Sequence, residues 1–187
     1  MKKFLIDTFN ISEVDANLFS ECFETINLSK GENFVSYNKI SNKVGFVEKG
    51  LLKCTLIGAE KSVVDDFVFE NQFVANYYSF LKQEKSNKEI TCLKDSVLRV
   101  ITRKKLDRLS KYPFIEKIAR QVSEQLFIST SKKLENLRLL SAEERYLQLV
   151  KANKRVVNEI PQYEIASFLN VSPETVSRIR KKITISS

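Results

Sequence analysis

The sequence predicts an α+β protein with an antiparallel, β-rich N-terminal domain, a long connecting helix and a C-terminal helix-turn-helix. Three observations support this fold class. Residues 25–102 contain short apolar or alternating runs separated by glycines, residues 103–140 have a helical apolar period, and residues 161–183 have the spacing of two short crossed helices. We therefore divide the 187 residues into three predicted parts, 1–110, 111–140 and 141–187.

A helix is predicted before the strands. Residues 12–24 have helical periodicity, and Ser12 is placed to cap the helix. The basic and apolar residues 1–7 are followed too soon by Asn10 for a signal peptide, and Asp7 already interrupts their apolar run. We therefore expect a cytoplasmic protein that has no membrane partner.

Seven strands are predicted next, at residues 25–28, 33–36, 44–48, 51–57, 62–69, 89–93 and 97–101. Their regular spacing favours a sandwich or barrel over parallel βαβ units. All four glycines lie in this region, and Gly31, Gly50 and Gly58 fall between strands, where turns need a permissive backbone. Residues 73–81 interrupt the pattern and predict a short helix, which is followed by an exposed polar loop at 83–88.

The long helix is predicted by an intermittent apolar stripe after Pro113. The stripe consists of Ile115, Ile118, Val122, Leu126, Leu134 and Leu137. Such a stripe is either ordinary core or a seam between two chains, and a helix-turn-helix that follows it favours the dimer seam. Polar residues at Gln125 and 129–133 weaken it midway. Ser141 and Glu144 then have capping-box spacing, which predicts a new helix beginning at Ser141.

The helix-turn-helix is predicted from its apolar spacing and its turn. Two crossed helices would share a core formed by Ile165, Leu169, Val171, Val176 and Ile179, with small Ala166 where the backbones approach each other. Asn170 tolerates the left-handed conformation that the turn needs. Ser172 can cap the second helix, and Pro173 fits its first position.

The second of these helices is predicted to enter a DNA major groove. Arg178 is expected to bind guanine O6 and N7, and Glu174 to accept from a cytosine amine or to orient Arg178. The alternative is that these two side chains form only a surface ion pair. Further predicted DNA contacts, mostly to phosphates, are Gln162, Tyr163, Ser172, Thr175, Ser177, Arg180, Lys181 and Lys182.

The distribution of charge agrees with a polyanion partner. The net charge is +8, of which residues 111–187 contribute +6 through 14 Lys and Arg against 8 Glu, with no Asp. A basic C-terminal part of this kind is typical of proteins that bind nucleic acid, although a charge run alone is weak evidence.

The residue types argue against metal and enzyme chemistry. Histidine is absent from the sequence, and Cys22, Cys54 and Cys92 are too far apart to form a metal-ligand or disulfide motif. We expect each cysteine to pack as a small apolar residue, and we predict no cofactor. The sequence also lacks a Gly-rich phosphate loop, a G-x-S-x-G elbow and a recognisable pair of acids, so an enzyme is disfavoured.

Four segments together resemble the Crp/Fnr family of bacterial transcription regulators. They are IASFLNVSPETVSR at 165–178, LSAEERY at 140–146, KGE at 30–32 and VEKGLLK at 47–53. The resemblance covers nearly the whole chain. It implies a cyclic-nucleotide-binding-type β-roll and a homodimer on two-fold symmetric double-stranded DNA, with RNA polymerase as a further candidate partner. It also implies that Glu174 and Arg178 contact bases. Because only residues 184–187 follow the second helix, we expect a short form without a complete wing.

The effector pocket departs from the pattern of that family. Its cyclic-nucleotide binders place a Gly-Glu pair and an Arg-Ser or Arg-Thr pair around the ribose and phosphate. The corresponding segments here are Phe73, Val74, Ala75 and Asn76, and then Lys85, Ser86, Asn87 and Lys88 after Glu84. Without the glycine and the arginine fork, we predict that the β-roll does not bind cyclic nucleotide.

Other sensing chemistries of the family also lack their residues, since iron-sulfur members need clustered cysteines and haem members usually use a histidine. An unknown small-molecule effector, with a charge from Lys85 or Lys88, stays open. The predicted function is a sequence-specific DNA-binding regulator. The alternative is a sensor or scaffold module whose helix-turn-helix contacts protein.

Overall fold

The structure is a computed structural model that describes residues 1–185, with side chains described up to Ile183. The predicted absence of a wing depends in part on Ser186 and Ser187, which lie outside the described residues. The chain divides into two compact units, residues 1–124 and 125–187, and the long helix contributes to both.

The first unit contains eight antiparallel strands in two four-stranded sheets. The strands are β1 Glu24–Leu28, β2 Asn33–Val35, β3 Lys43–Lys49, β4 Leu52–Ile57, β5 Ser62–Val68, β6 Phe73–Val74, β7 Lys88–Cys92 and β8 Ser96–Thr102. One sheet has the order β1-β8-β3-β6, and the other has the order β2-β7-β4-β5. The predicted antiparallel architecture of α+β class is confirmed.

The apolar core of this roll lies between the sheets. Alternate side chains of the strands turn inward, so that Phe34, Val47, Leu52 and Ile90 from four different strands are buried together. Cys92 belongs to the same core, and its burial raises the pKa of the thiol. Cys92 therefore packs as a small apolar residue, as the sequence predicts.

Five helices contribute to the first unit: α1 Lys2–Phe9, α2 Glu13–Glu21, α3 Tyr77–Lys82, α4 Arg103–Leu109 and the first part of α5 Pro113–Leu139. Ser12 caps α2 as predicted, because its Oγ accepts from the Asp15 N–H at 3.1 Å. The helix α1 is not predicted from the sequence. No side chain caps its N-terminus, and its burial of Leu5 and Phe9 is a tertiary effect.

The segment at 73–81 is only partly the predicted helix. Phe73 and Val74 form β6 and pair with Phe46 and Gly45 of β3, respectively. The helix α3 begins only after Asn76, whose side-chain oxygen accepts from the Ser79 N–H at 3.3 Å. A two-residue strand is too short to produce an alternation that could have been recognised in the sequence.

The following loop at 83–88 is also not wholly exposed, which corrects the prediction. Ser86 is only 2% exposed, and Lys85 forms an isolated antiparallel bridge with Ile40. Its neighbour Lys88 is already the first residue of β7.

Among the turn glycines, Gly50 shows the strictest requirement. Its φ is +118°, and a Cβ placed there would lie 2.1 Å from Ser96 Oγ. Gly31 also has a left-handed φ of +88°. Gly58 does not adopt the left-handed region, but a Cβ placed there would lie 3.1 Å from the Lys61 carbonyl oxygen.

The second unit is helical. After the C-terminal part of α5, it contains α6 Ala142–Ala152, α7 Val156–Glu159, α8 Gln162–Leu169 and α9 Pro173–Ile185. The predicted capping box is confirmed, because Ser141 Oγ accepts from the Glu144 N–H at 3.2 Å and Glu144 Oε2 accepts from the Ser141 N–H at 2.8 Å. The one-turn helix α7 is not predicted.

The apolar stripe of α5 is not one continuous face. Ile118 is buried in the first unit, and Ile115 and Val122 pack against the same core. In the second unit, by contrast, Leu134 and Leu137 are exposed. The first half of the stripe therefore belongs to the chain's own core. None of the helices in the described part of the chain is both long and apolar enough to span a membrane.

Candidate nucleic-acid interface

The turn between α8 and α9 has the predicted geometry. Asn170 lies in the left-handed region at φ 54° and ψ 47°. Its N–H donates to the Ser167 carbonyl at 3.1 Å, and the Val171 N–H donates to the Ala166 carbonyl at 3.0 Å. These bonds satisfy carbonyls that the end of α8 would otherwise leave without a partner.

The two helices share the predicted core. Ile165, Leu169 and Val176 are completely buried, and Ile179 is nearly so. Buried Ala166 provides the small surface at which the backbones approach each other. Val171, by contrast, is only half-buried. This core determines which side of α9 is left to solvent.

The N-terminus of α9 is held by two polar side chains. Ser172 Oγ accepts from the Thr175 N–H at 3.3 Å, as an N-cap should. Gln162 Nε2 of α8 donates to the Pro173 carbonyl at 2.6 Å. Gln162 therefore joins the starts of the two helices.

Glu174 is exposed in the first turn of α9. The hydroxyl of Ser172 and the backbone N–H of Glu174 itself hydrogen-bond to its carboxylate and lower its pKa, and the charge of Arg178 adds a smaller contribution in the same direction. Ser172 therefore lowers the pKa of this carboxyl group more than Arg178 does. It leaves Glu174 ionised and ready to accept hydrogen bonds.

Arg178 is exposed one turn further along α9. Its Nη2 donates to Thr175 Oγ1 at 3.1 Å. Thr175 therefore touches both the cap and the arginine, since its hydroxyl also lies 3.3 Å from Ser172 Oγ. The three polar residues Ser172, Thr175 and Arg178 form a chain of contacts along the outer surface of the helix.

Two of the residues predicted to contact phosphates also have partners within the unit. Arg180 Nε donates to the hydroxyl of buried Tyr146 at 3.1 Å, and its guanidinium lies 6.0 Å from the centroid of that ring. Lys182 Nζ lies 2.7 Å from Glu143 Oε2. Lys181 between them is exposed. The helix α6 therefore engages two of the basic side chains on the C-terminal half of α9.

The other predicted DNA contacts differ in their exposure. Tyr163 is 62% exposed at the start of α8, whereas Ser177 is half-buried on α9. Sequence reasoning missed the supporting role of α6, where Arg145 Nη2 also donates to the Leu169 carbonyl at 3.0 Å. The LSAEERY segment contains Glu143, Arg145 and Tyr146, but their partners are too distant in the sequence to be recognised there.

Buried polar side chains at and beside the predicted effector residues of the β-roll hydrogen-bond to one another and to the backbone. Asn76 Nδ2 donates to Ser86 Oγ, and Ser86 Oγ donates to the Lys88 carbonyl at 2.6 Å. Ser79 Oγ donates to the Glu84 carbonyl at 2.6 Å. Asn76, Ser79 and Ser86 are all buried, so we call this group the Asn76 network.

The remaining residues of the predicted effector segments differ in burial and in their contacts. Lys88 Nζ lies 2.6 Å from Asp65 Oδ2, which neutralises its charge. Phe73 and Val74 are part of β6, with Val74 buried and Ala75 half-buried. Lys85 and Asn87 point to exposed surface.

Comparison with solved structures identifies the fold. FixK2 from Bradyrhizobium japonicum is 17% identical, with 88% of this chain and 85% of that chain covered at a TM-score of 0.68. The c-di-GMP-responsive global regulator CLP of Xanthomonas campestris is 15% identical, with 94% of this chain and 93% of that chain covered at a TM-score of 0.68. A Crp/Fnr-family transcriptional regulator from Eubacterium rectale is 16% identical, with 97% of this chain and 87% of that chain covered at a TM-score of 0.69.

Neither a protein-family model nor a curated protein matches the sequence. The structural similarity nevertheless spans both units, since it covers 88% to 97% of this chain. The chain therefore has the fold of the Crp/Fnr transcription regulators.

Proposed function

We propose that this protein is a homodimeric, sequence-specific regulator of transcription that binds double-stranded DNA through α9. The observation that carries the proposal is the arrangement of Glu174 and Arg178. Both side chains are exposed on the N-terminal half of α9, and Ser172 and Thr175 hold them from the side. In a major groove this half of a recognition helix contacts base edges.

The chemistry of these two side chains suits base recognition. A guanidinium can donate two parallel hydrogen bonds to guanine O6 and N7, and an ionised carboxylate can accept from the amine of a cytosine. Because Glu174 is bound by Ser172, it does not neutralise Arg178 through a tight pair. Exposed Lys181, one helical turn C-terminal to Arg178, would add a phosphate contact.

The second half of α5 supplies the surface for a second copy of the chain. Phe127, Leu134 and Leu137 are 75%, 51% and 59% exposed, and their spacings of seven and three residues place them on one coiled-coil face. Exposed apolar side chains of this size usually mark an interface. A symmetric pair would present two α9 helices to half-sites about 34 Å apart.

The β-roll is proposed to act without cyclic nucleotide. The Asn76 network occupies the position where the resemblance places the nucleotide, and the bonds of its buried side chains are made to one another and to the adjacent backbone. A ligand entering there would have to break those bonds. We expect cAMP and cGMP to change neither DNA affinity nor thermal stability.

The test is a selection of duplexes from a random pool by the full chain at near-physiological salt, with Arg178→Ala in parallel. Enrichment of a palindromic motif by the wild type, and its loss in the variant, is the expected result. If the wild type enriches no motif and binds duplex DNA without dependence on salt concentration, the proposal fails and a protein-contacting helix-turn-helix is the better assignment.

The dimer is tested separately by sedimentation. Phe127→Asp places a charge on the exposed face of α5 and should give a monomer that binds only a half-site weakly. Val14→Asp, at an exposed apolar residue of α2, is the matched control and should sediment as the wild type does. Equal sedimentation of all three proteins would place the dimer contact elsewhere.

A further inference from the structure

The first unit has a cleft beside the helix α4, and none of its lining residues belongs to the Asn76 network. Its volume is about 520 Å³, which is within the range of small-molecule sites. One wall consists of Asn42, Gln83 and Thr102. The other consists of Arg103, Lys104, Asp107 and Arg108 of α4, and we call this site the α4 cleft.

The walls of the α4 cleft are tied to each other by hydrogen bonds. The Arg103 N–H donates to the Asn42 carbonyl at 2.7 Å. The Arg103 guanidinium donates to the carbonyls of Phe80 and Leu81, at 3.2 Å for Leu81. Gln83 Nε2 donates to the same Phe80 carbonyl at 2.8 Å. These bonds connect the segment before β3, the end of α3 and the start of α4, so the cleft is formed before a ligand enters.

The charges of the α4 cleft are not balanced. Three cations face one carboxylate, and that carboxylate lies nearest to Arg103, with Asp107 Oδ2 at 3.9 Å from Arg103 Nε. Among the side chains that the structure describes, no carboxylate lies within salt-bridge distance of Lys104 or Arg108.

Lys104 and Arg108 are also neighbours on one face of α4. They are four residues apart, which places like charges side by side on a helix and destabilises it. An anion bound between them would relieve this repulsion. A phosphate group fits both partners, because guanidinium can donate two parallel bonds to it and ammonium binds it as a point charge.

We propose that the α4 cleft binds the diphosphate group of a small molecule. Lys104 and Arg108 bind the phosphate oxygens, Arg103 adds its fixed positive charge, and the amides of Asn42 and Gln83 contact the remainder of the ligand. A diphosphate is favoured over a single carboxylate because one carboxylate would leave most of this charge unbalanced. The site gives the protein a place for a soluble effector that the Asn76 network does not provide.

The experiment is calorimetric titration of the full chain with inorganic pyrophosphate at near-physiological salt, without DNA. The wild type should bind one equivalent per chain saturably, and Lys104→Ala/Arg108→Ala should weaken binding by at least about tenfold, since each removes a charged hydrogen bond. The control Lys49→Ala/Lys61→Ala removes the same charge at exposed residues outside the cleft and should bind as the wild type does. Far-UV circular dichroism checks that all three proteins are folded.

Three results would overturn the proposal. The first is that the wild type shows no saturable heat up to millimolar pyrophosphate. The second is that both double variants lose affinity equally, which would indicate general charge attraction. The third is that Lys104→Ala/Arg108→Ala weakens binding to random duplex DNA as much as Lys181→Ala does. The cleft would then be a contact to DNA phosphates. Because the titration omits DNA, its outcome does not depend on the proposed regulator function.

Discussion

The β-roll and the helix α9 use similar polar side chains in opposite surroundings. In the roll, Asn76 and Ser86 are buried, and they bind each other. On α9, Ser172 and Thr175 make hydrogen bonds of the same kind at the surface, and they leave Glu174 and Arg178 open to a partner. Burial decides the difference, because a buried polar group must have its hydrogen bonds made within the protein. The polar groups of the Asn76 network therefore bind within the protein, whereas Glu174 and Arg178 stay exposed.

The largest effect that tests this comparison is on stability. Asn76→Ala removes the acceptor of the Ser79 N–H and the donor to Ser86, both of which are buried. We expect the free energy of unfolding to fall by about 2–3 kcal/mol in urea titration, because leaving buried polar groups without partners is costly. The control Asn87→Ala, at the exposed residue next to Ser86, should change the free energy of unfolding by less than about 0.5 kcal/mol. Equal stabilities would mean that the network does not close the roll.

Under the proposed function, substitutions on the exposed side of α9 should change DNA binding and not stability. Arg178→Ala should reduce the preference for the selected site over random duplex by about 1–3 kcal/mol per half-site, as measured by fluorescence anisotropy. Lys181→Ala should instead weaken binding to both duplexes alike. It should also reduce the slope of log affinity against log salt concentration by about 0.9 per lost phosphate contact. If Arg178→Ala lowers both affinities equally, Arg178 binds phosphate and does not contact a base.

The cap of α9 gives a smaller effect on the same unit. Ser172→Ala should lower the free energy of unfolding by about 1 kcal/mol, which is usual for the loss of an N-cap. It should also raise the pKa of Glu174 towards its ordinary value, because the Ser172 hydroxyl is the largest cause of the lowering. Ser177→Ala on the same helix is the control. Because alanine has a higher helix propensity than serine, this change should not lower the free energy of unfolding. Carboxylate titration by NMR measures the pKa of Glu174 in each protein.

The smallest predicted effect is a dependence on pH. Hydrogen bonds from Ser141 and Ser172 lower the pKa of Glu144 and Glu174 below the ordinary value of 4.5. The stabilisation is therefore complete above about pH 4.5 and is lost as the pH falls through the lower pKa of the folded state. In urea titrations between pH 7 and pH 3, the free energy of unfolding should fall less steeply with pH for Ser141→Ala/Ser172→Ala than for the wild type. Parallel curves would contradict the assigned cause.

The sequence predicted those parts of the fold that depend on neighbours a few residues apart. The caps at Ser12, Ser141 and Ser172 and the left-handed Asn170 are local arrangements, and all are confirmed. The antiparallel class of the roll followed from strand spacing. By contrast, α1, β6 and α7 are short, and they carry no period long enough to be recognised.

The candidate site was likewise predictable in its backbone and not in all of its side chains. The spacing of Ile165, Leu169 and Val176 already indicated the side of α9 that faces solvent. It did not indicate that Arg180 binds Tyr146 or that Lys182 pairs with Glu143, partners that lie more than thirty residues away in the chain. A long basic side chain can extend in many directions, and only the packed structure selects its partner.

The sequence by itself thus determined the helix-turn-helix, its turn and its cap, because hydrogen bonds and steric limits within one or two helical turns specify them. Only the tertiary structure decided that the stripe on α5 divides between the core and an exposed face, and that Asn76, Ser79 and Ser86 are buried in one hydrogen-bonded network. These outcomes depend on which distant surfaces come together and exclude water, and burial of that kind is a property of the whole fold.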